Sequence, residues 1–225
     1  MSRFLRWIVL YLVAGITTVL CRIEKSELEK IPADGPMILA MNHIGSIEVP
    51  LLRAQVRPRR VISLAKIETW DNRFMGWLFD LWESIPIRRG EVDMSALHQC
   101  LECLSDGDFL GVAPEGTRSL DGKLLCGRPG IVLIGLHSGA PILPVAHWGV
   151  EDFSKNIKHL KRTDFHVRVG KPFTLDANGE KVTSQIRQEM VDEIMVQVAS
   201  LMPEKYRGKY AHAALFPMKY LRFTT

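Results

Sequence analysis

Met37-Ile38-Leu39-Ala40-Met41-Asn42-His43-Ile44-Gly45-Ser46-Ile47-Glu48-Val49-Pro50-Leu51-Leu52 decides how the chain is read. Its first five residues are apolar and follow Asp34-Gly35-Pro36, which predicts a buried strand entered from a turn. From Pro50 to Val56 the spacing suits a helix, with proline in the first turn, where its missing N–H costs nothing. His43 is thereby expected near the carboxyl end of a strand and close to a helix N-terminus. In open α/β sheets ligands bind at that place.

A histidine so placed can take a proton from a hydroxyl near neutral pH, provided that something fixes its tautomer. Glu48 is the candidate. Residues five apart lie about 140° apart on a regular helix, so the two meet only if His43 precedes the helix and Glu48 falls in its first turn. The competing reading makes Glu48 a carboxylate favoured at a helix N-terminus and His43 a strand-end side chain bonded to backbone.

A second cluster stands in the same relation to a second strand. Phe109-Leu110-Gly111-Val112-Ala113 is apolar and ends in Pro114-Glu115-Gly116-Thr117-Arg118-Ser119. A glutamate, a glycine allowing close backbone approach, a hydroxyl and an arginine compose a cradle for an anion or phosphate. A base at one strand end and an anion grip at another point to chemistry on a phosphorylated alcohol.

Together these residues resemble the glycerolipid acyltransferase family, the 1-acylglycerol-3-phosphate acyltransferases. The family's N-H-x-x-x-x-D motif is matched by Asn42, His43 and, in place of the aspartate, Glu48. Its F-P-E-G-T-R-S motif is matched at six of seven positions, with Ala113 replacing the phenylalanine. Ile85-Pro86-Ile87-Arg88-Arg89 resembles an I-x-x-R block with Arg89 at the arginine position, and Pro141-Ile142-Leu143-Pro144-Val145 resembles an apolar V-P-V block. The matching span runs in the family's order from Pro36 to Gly149.

The composition is that of a globular protein: 225 residues, 47% hydrophobic and 24% charged. That is enough for one domain with a sizeable core and an appendage, and it argues against disorder. A net charge of +4 suits an anionic bilayer or acidic partner. No basic and aromatic cluster resembles a nucleic-acid-binding surface. Cys21, Cys100, Cys103 and Cys126 make neither a disulfide framework nor a zinc pattern; the C-x-x-C of Cys100 and Cys103 falls on the buried face of a helix with Leu97, Leu101 and Leu104. They are compatible with a reducing cytoplasm.

Residues 1–28 are expected to form a membrane-associating segment, and 29–225 the acyltransferase domain. Trp7 to Cys21 is uncharged and lies between Arg6 and Arg22, with Arg3 further out. Fifteen residues fall short of the roughly 20 that span a bilayer, so an interfacial helix with snorkelling arginines is preferred over a tilted span or a helix packed on the domain.

Further strands are expected at Val61–Lys66, Ile85–Ile87, Pro141–His147 and Phe165–Val169, and helices at Arg73–Trp82, after Asp93, at Ile131–His137 and from Val182 to Leu201. The aromatic stripe of Phe74 and Trp77 suits either lipid or core packing. The basic, aromatic tail from Glu204 to Thr225, with Tyr206, Tyr210, Phe216, Tyr220 and Phe223, is open between membrane contact and packing on the domain. His98, His137, His147, His159, His166 and His212 lack motif context. The alternation predicts an α/β fold with a mixed, largely parallel sheet flanked by helices and preceded by the N-terminal membrane-associated helical segment.

The resemblance implies acyl transfer from a thioester, acyl-CoA or acyl carrier protein, to the free hydroxyl of 1-acylglycerol 3-phosphate, giving phosphatidic acid, or alternatively of another lysolipid, at the cytoplasmic face of a membrane, with no cofactor and no metal. His43 would be the base and Glu48 its orienting acid; Arg89, Glu115, Gly116, Thr117 and Arg118 would hold the acceptor phosphate, with Asn42 and Pro144 completing the site. A serine hydrolase is disfavoured because no G-x-S-x-G occurs; Gly135-Leu136-His137-Ser138-Gly139 has the wrong spacing. A metal enzyme lacks a third ligand at diagnostic spacing. Glu48 in place of aspartate motivates a further alternative, an inactive lipid-binding protein.

Overall fold

The computed structural model describes residues 3–45, 47–212 and 217–224. In chain order the elements are α1 (Arg3–Leu20), β1 (Cys21–Ile23), α2 (Lys25–Leu28), β2 (Met37–Met41), α3 (Glu48–Gln55), β3 (Val61–Lys66), α4 (Arg73–Leu81), β4 (Ile85–Ile87), α5 (Met94–Ser105), β5 (Phe109–Val112), α6 (Gly130–Ser138), β6 (Ile142–Trp148), α7 (Phe153–Lys158), β7 (Thr163–Val169), β8 (Phe173–Leu175), α8 (Ser184–Ser200) and β9 (Leu221–Phe223).

The sheet order is β1-β7-β6-β2-β5-β3-β4, with β8 between β6 and β9. β4, β3, β5, β2 and β6 are parallel; β7 and β8 run antiparallel to β6. This is the mixed, largely parallel sheet that the alternation predicts. β2 lies at its centre, paired with β5 on one side and β6 on the other, and is buried along its length up to Ala40. A strand covered on both faces reads as an uninterrupted apolar run because odd and even positions both face a core.

The two faces are distinct. Ile38 and Ala40 join Leu110, Ile142 and the inner sides of α5, α6 and α8 in one core. Leu39 points to the other, with Val61, Phe109, Leu143, Val145, Leu51 and Leu52 of α3, and Val56 just after it. Helix ends follow local chemistry: Asn72 Oδ1 accepts from Phe74 N and Met75 N at the start of α4, Asp93 Oδ1 accepts from Ala96 N at α5, and Gly139 closes α6 at φ +64°.

α1 rests on α3, where Gln55 Nε2 donates to Thr18 Oγ1 at 3.2 Å and Arg57 lies over the Tyr11 ring. Its opposite face leaves Phe4, Trp7, Ile8, Tyr11, Leu12, Ile16 and Val19 exposed. Among the described residues no helix is long and apolar enough to cross a membrane. Residues 21–28, grouped with this segment on sequence grounds, belong to the domain instead: β1 pairs with β7, and Cys21 and Leu28 are buried.

The described part of the tail packs on the domain. Tyr210 and Tyr220 are buried, β9 pairs with β8, and the buried Glu193 of α8 accepts from Lys219 N at 2.8 Å and Tyr220 N at 3.0 Å. Phe216 lies outside the described residues. On α4, Phe74 and Trp77 are exposed, so the aromatic stripe does not serve the core. Replacing Glu193 by alanine leaves the buried N–H of Tyr220 and the partly buried N–H of Lys219 without acceptors and is expected to cost about 3 kcal/mol in urea unfolding. A loss below about 1 kcal/mol would show that the tail is not part of the cooperative unit.

Candidate active site

β2 ends at Met41, and the chain crosses its carboxyl edge through Asn42 and His43 before α3 begins at Glu48. Glu48 is the first residue of α3 and His43 precedes it, which is the arrangement their spacing demands. His43 Nδ1 lies 2.6 Å from Glu48 Oε1, and Gly45 N donates to the same oxygen at 2.9 Å. Glu48 is 1% exposed and the His43 side chain 16%. The longer glutamate arm therefore still reaches the imidazole.

Burial alone would raise the Glu48 carboxyl, but the hydrogen bond from the His43 ring and the nearby His147 and His43 imidazoles together outweigh it and hold the group at about 2. A carboxylate ionised throughout the neutral range only accepts. The proton of His43 is therefore on Nδ1, and Nε2 keeps its lone pair. Among the described residues nothing pairs with that nitrogen, so the ring can accept a proton there.

The backbone carrying the base is fixed from two sides. His43 N donates to Glu115 Oε1 and Leu125 N to Glu115 Oε2, each at 2.8 Å, while Ser119 N donates to His43 O at 2.8 Å. On the other side Asn42 Nδ2 donates to His147 O at 2.8 Å and His147 N to Asn42 Oδ1 at 2.9 Å. Asn42 is thus a bridge from β2 to β6.

Glu115 requires a correction. It is 2% exposed and both its oxygens accept from backbone N–H groups, so it offers a phosphate no donor and would repel it rather than bind it. Pro144 also lies elsewhere than expected: it is buried within β6, opposite Ala40 in register, with its ring against Gly170. Gly116 adopts φ +67°, and a Cβ there would lie 2.7 Å from Arg128 Cδ, so the arginine folds across the glycine.

Thr117 and Arg118 are exposed on the same loop, and Arg118 has no ion-pair partner among the described residues. Beside Thr117 opens a recess of about 390 Å³ lined by Glu115, Leu125, Cys126, Gly127, Arg128, Pro129 and Gln188. Arg89 is exposed in the turn after β4; three strand spacings, about 14 Å, separate β4 from β2. Lys66, which the sequence reading left without a role, ends β3 on this same edge, in register with Ile87. Its signal was a charge closing an apolar strand. Cys100 and Cys103 are buried on α5, with thiols pushed up to about 12 by desolvation.

Residues 22–148, more than half of the chain, match the family model described as Acyltransferase. The chain belongs to the acyltransferase family. It is 26% identical over 144 residues to a 1-acyl-sn-glycerol-3-phosphate acyltransferase of Bacillus subtilis, covering 64% of this chain and 70% of that protein. With the Pseudomonas aeruginosa protein of the same name it shares 26% over 209 residues, covering 91% and 77%. The solved 1-acyl-sn-glycerophosphate acyltransferase of Thermotoga maritima superimposes with TM-score 0.63 at 23% identity, over 89% of this chain and 83% of that one, and thus shares the fold.

In this acyltransferase, burial pushes the Glu115 carboxyl up from 4.5 to about 7, against the pull of its two backbone donors. Above pH 7 the folded protein holds an ionised buried carboxylate, a cost absent from the unfolded chain. As pH falls through 7 towards 4.5 the folded state gains a proton first, and stability rises by about 1.4 kcal/mol per unit. From pH 8 to 5.5 the wild type is expected to gain about 2 kcal/mol relative to Glu115→Gln in urea unfolding. A difference independent of pH would contradict the raised value.

Proposed function

We propose that this protein transfers a fatty acyl group from a thioester, acyl-CoA or acyl carrier protein, to the free hydroxyl of 1-acylglycerol 3-phosphate, giving phosphatidic acid in phospholipid synthesis. The observation that carries the reading is the open Nε2 of His43, whose Nδ1 is held by the buried carboxylate of Glu48. The names of the relatives, family membership and the basic residues at the same sheet edge support it.

In the reaction, Nε2 takes the proton of the acceptor hydroxyl as that oxygen attacks the thioester carbonyl carbon. Glu48 stabilises the imidazolium. The tetrahedral adduct then breaks its C–S bond, and the proton passes from Nε2 to the departing sulfur. Acceptor phosphate is held by Thr117, Arg118 and Arg128 around the recess, with Gly116 letting Arg128 close in, and by Arg89 and Lys66 further along the edge. Glu115 acts on the loop rather than on the phosphate.

The apolar face of α1 supports attachment to the membrane that holds the substrates; seven large apolar side chains on one helix face exceed what a monomer usually leaves to water. The alternative of an inactive lipid-binding protein drew on Glu48 replacing aspartate, and the 2.6 Å contact to His43 removes that motive.

The test is transfer from labelled oleoyl-CoA to 1-acylglycerol 3-phosphate in detergent micelles. Wild type is expected to form phosphatidic acid and His43→Ala to lose at least a thousandfold in kcat. Arg118→Ala is expected to lower kcat/KM for this acceptor by about 10–100-fold, the worth of one charge-assisted contact to phosphate. Equal activity of His43→Ala and wild type would refute the assignment of the base.

A further inference from the structure

His147 entered the sequence reading as a histidine without motif context, yet it is 0% exposed and touches the site at three points. Beyond the two backbone bonds to the Asn42 side chain, its Nε2 lies 2.7 Å from Asn42 O. A carbonyl oxygen only accepts, so Nε2 carries the ring proton and Nδ1 is left with a bare lone pair. That Nδ1 is buried with no partner. The ring stacks on Phe165 at 5.6 Å, a contact that a phenylalanine would make without stranding a polar atom.

What the imidazole adds over an apolar ring is the single bond to Asn42 O. This oxygen belongs to the Asn42–His43 peptide, whose N–H is held by Glu115 from the opposite side. The peptide plane ahead of the base is therefore clamped at both of its polar atoms, one by a side chain of β6 and one by the loop after β5. Glu48 Oε2, like His147 Nδ1, is buried without a partner. Glu48 from α3, His43 from the strand end and Glu151 from the loop after β6 are the titratable groups whose charge His147 feels.

We infer that His147 is a positioning residue for acyl transfer: its Nε2–H fixes the Asn42–His43 peptide and so sets the direction in which His43 presents Nε2 to the acceptor hydroxyl. The inference rests on the reading of His43 as the base. It makes no contact with substrate, so its loss acts on turnover and on the base, not on acceptor binding.

The experiment compares His147→Phe, which keeps the stacking ring, with His147→Gln, whose amide nitrogen reaches the place of Nε2. His147→Phe is expected to lower kcat 10–30-fold with acceptor KM within twofold. It should also move the midpoint of the His43 imidazole titration, followed by ¹⁵N NMR without substrate, by at least half a pH unit. His147→Gln is expected to recover kcat to within threefold of wild type. Should His147→Phe not fold, His147→Asn, whose amide ends at the Nδ1 position, replaces it with the same expectations. Unchanged kcat and an unchanged His43 titration in His147→Phe would overturn the proposal, as would equal losses in the Phe and Gln variants. Absence of acyl transfer by wild type would instead overturn the base, and the titration would still decide whether the clamp acts on His43.

Discussion

At the carboxyl end of β2 the sheet stops supplying hydrogen-bond partners while the chain is still buried, and buried polar groups have to be paired. Side chains take over there. Asn42 reaches to β6, Glu115 reaches back from the loop after β5, and Glu48 receives both the His43 ring and Gly45 N. The three residues tie four elements to the two peptides around His43. The motif's carboxylates consequently divide their work: Glu48 governs the ring of the base, Glu115 its backbone. Both are nearly inaccessible to water, so neither is free to bind a ligand.

The identity of the acid follows from the same constraint. Aspartate at residue 48 would end one methylene short of the present contact. Glutamate at the first position of α3 folds back over the turn, where Gly45 N meets it, and arrives at Nδ1 at 2.6 Å. A Cβ on Gly45 would lie 3.3 Å from Glu48 Oε2, so the turn leaves just enough room for the longer side chain.

Much of this was legible in the chain. The strands Met37–Met41, Val61–Lys66 and Ile85–Ile87 fall where their apolar runs and turn residues put them, and the pairing of His43 with Glu48 followed once a helix start was placed between them. β1, β8 and β9, three residues each, offer too few positions to show alternation, and unlike Ile85–Ile87 they belong to no motif; they were missed. Glu115 was misread because composition gives the residue types in a loop but not their partners: among glycine, threonine and arginine it looks like part of an anion cradle, yet both its oxygens are taken by backbone N–H groups. His147 gave no signal. Its contacts to Asn42 cross 105 residues and exist only because β2 and β6 are parallel neighbours. Residues 21–28 were assigned to the N-terminal segment because the sheet edge that receives them, β7, comes 140 residues later in the chain.

The central claim is that Glu48 holds His43 in the tautomer that leaves Nε2 free to accept a proton. Steady-state kcat of Glu48→Gln against Glu48→Asp tests it most directly, with the fold monitored by urea unfolding. A glutamine amide donates to Nδ1 and drives the proton to Nε2, so kcat is expected to fall about a thousandfold or more, with acceptor KM nearly unchanged. Glu48→Asp keeps the charge and is expected to stay within about tenfold of wild type. A folded Glu48→Gln protein turning over at the wild-type rate would contradict the account.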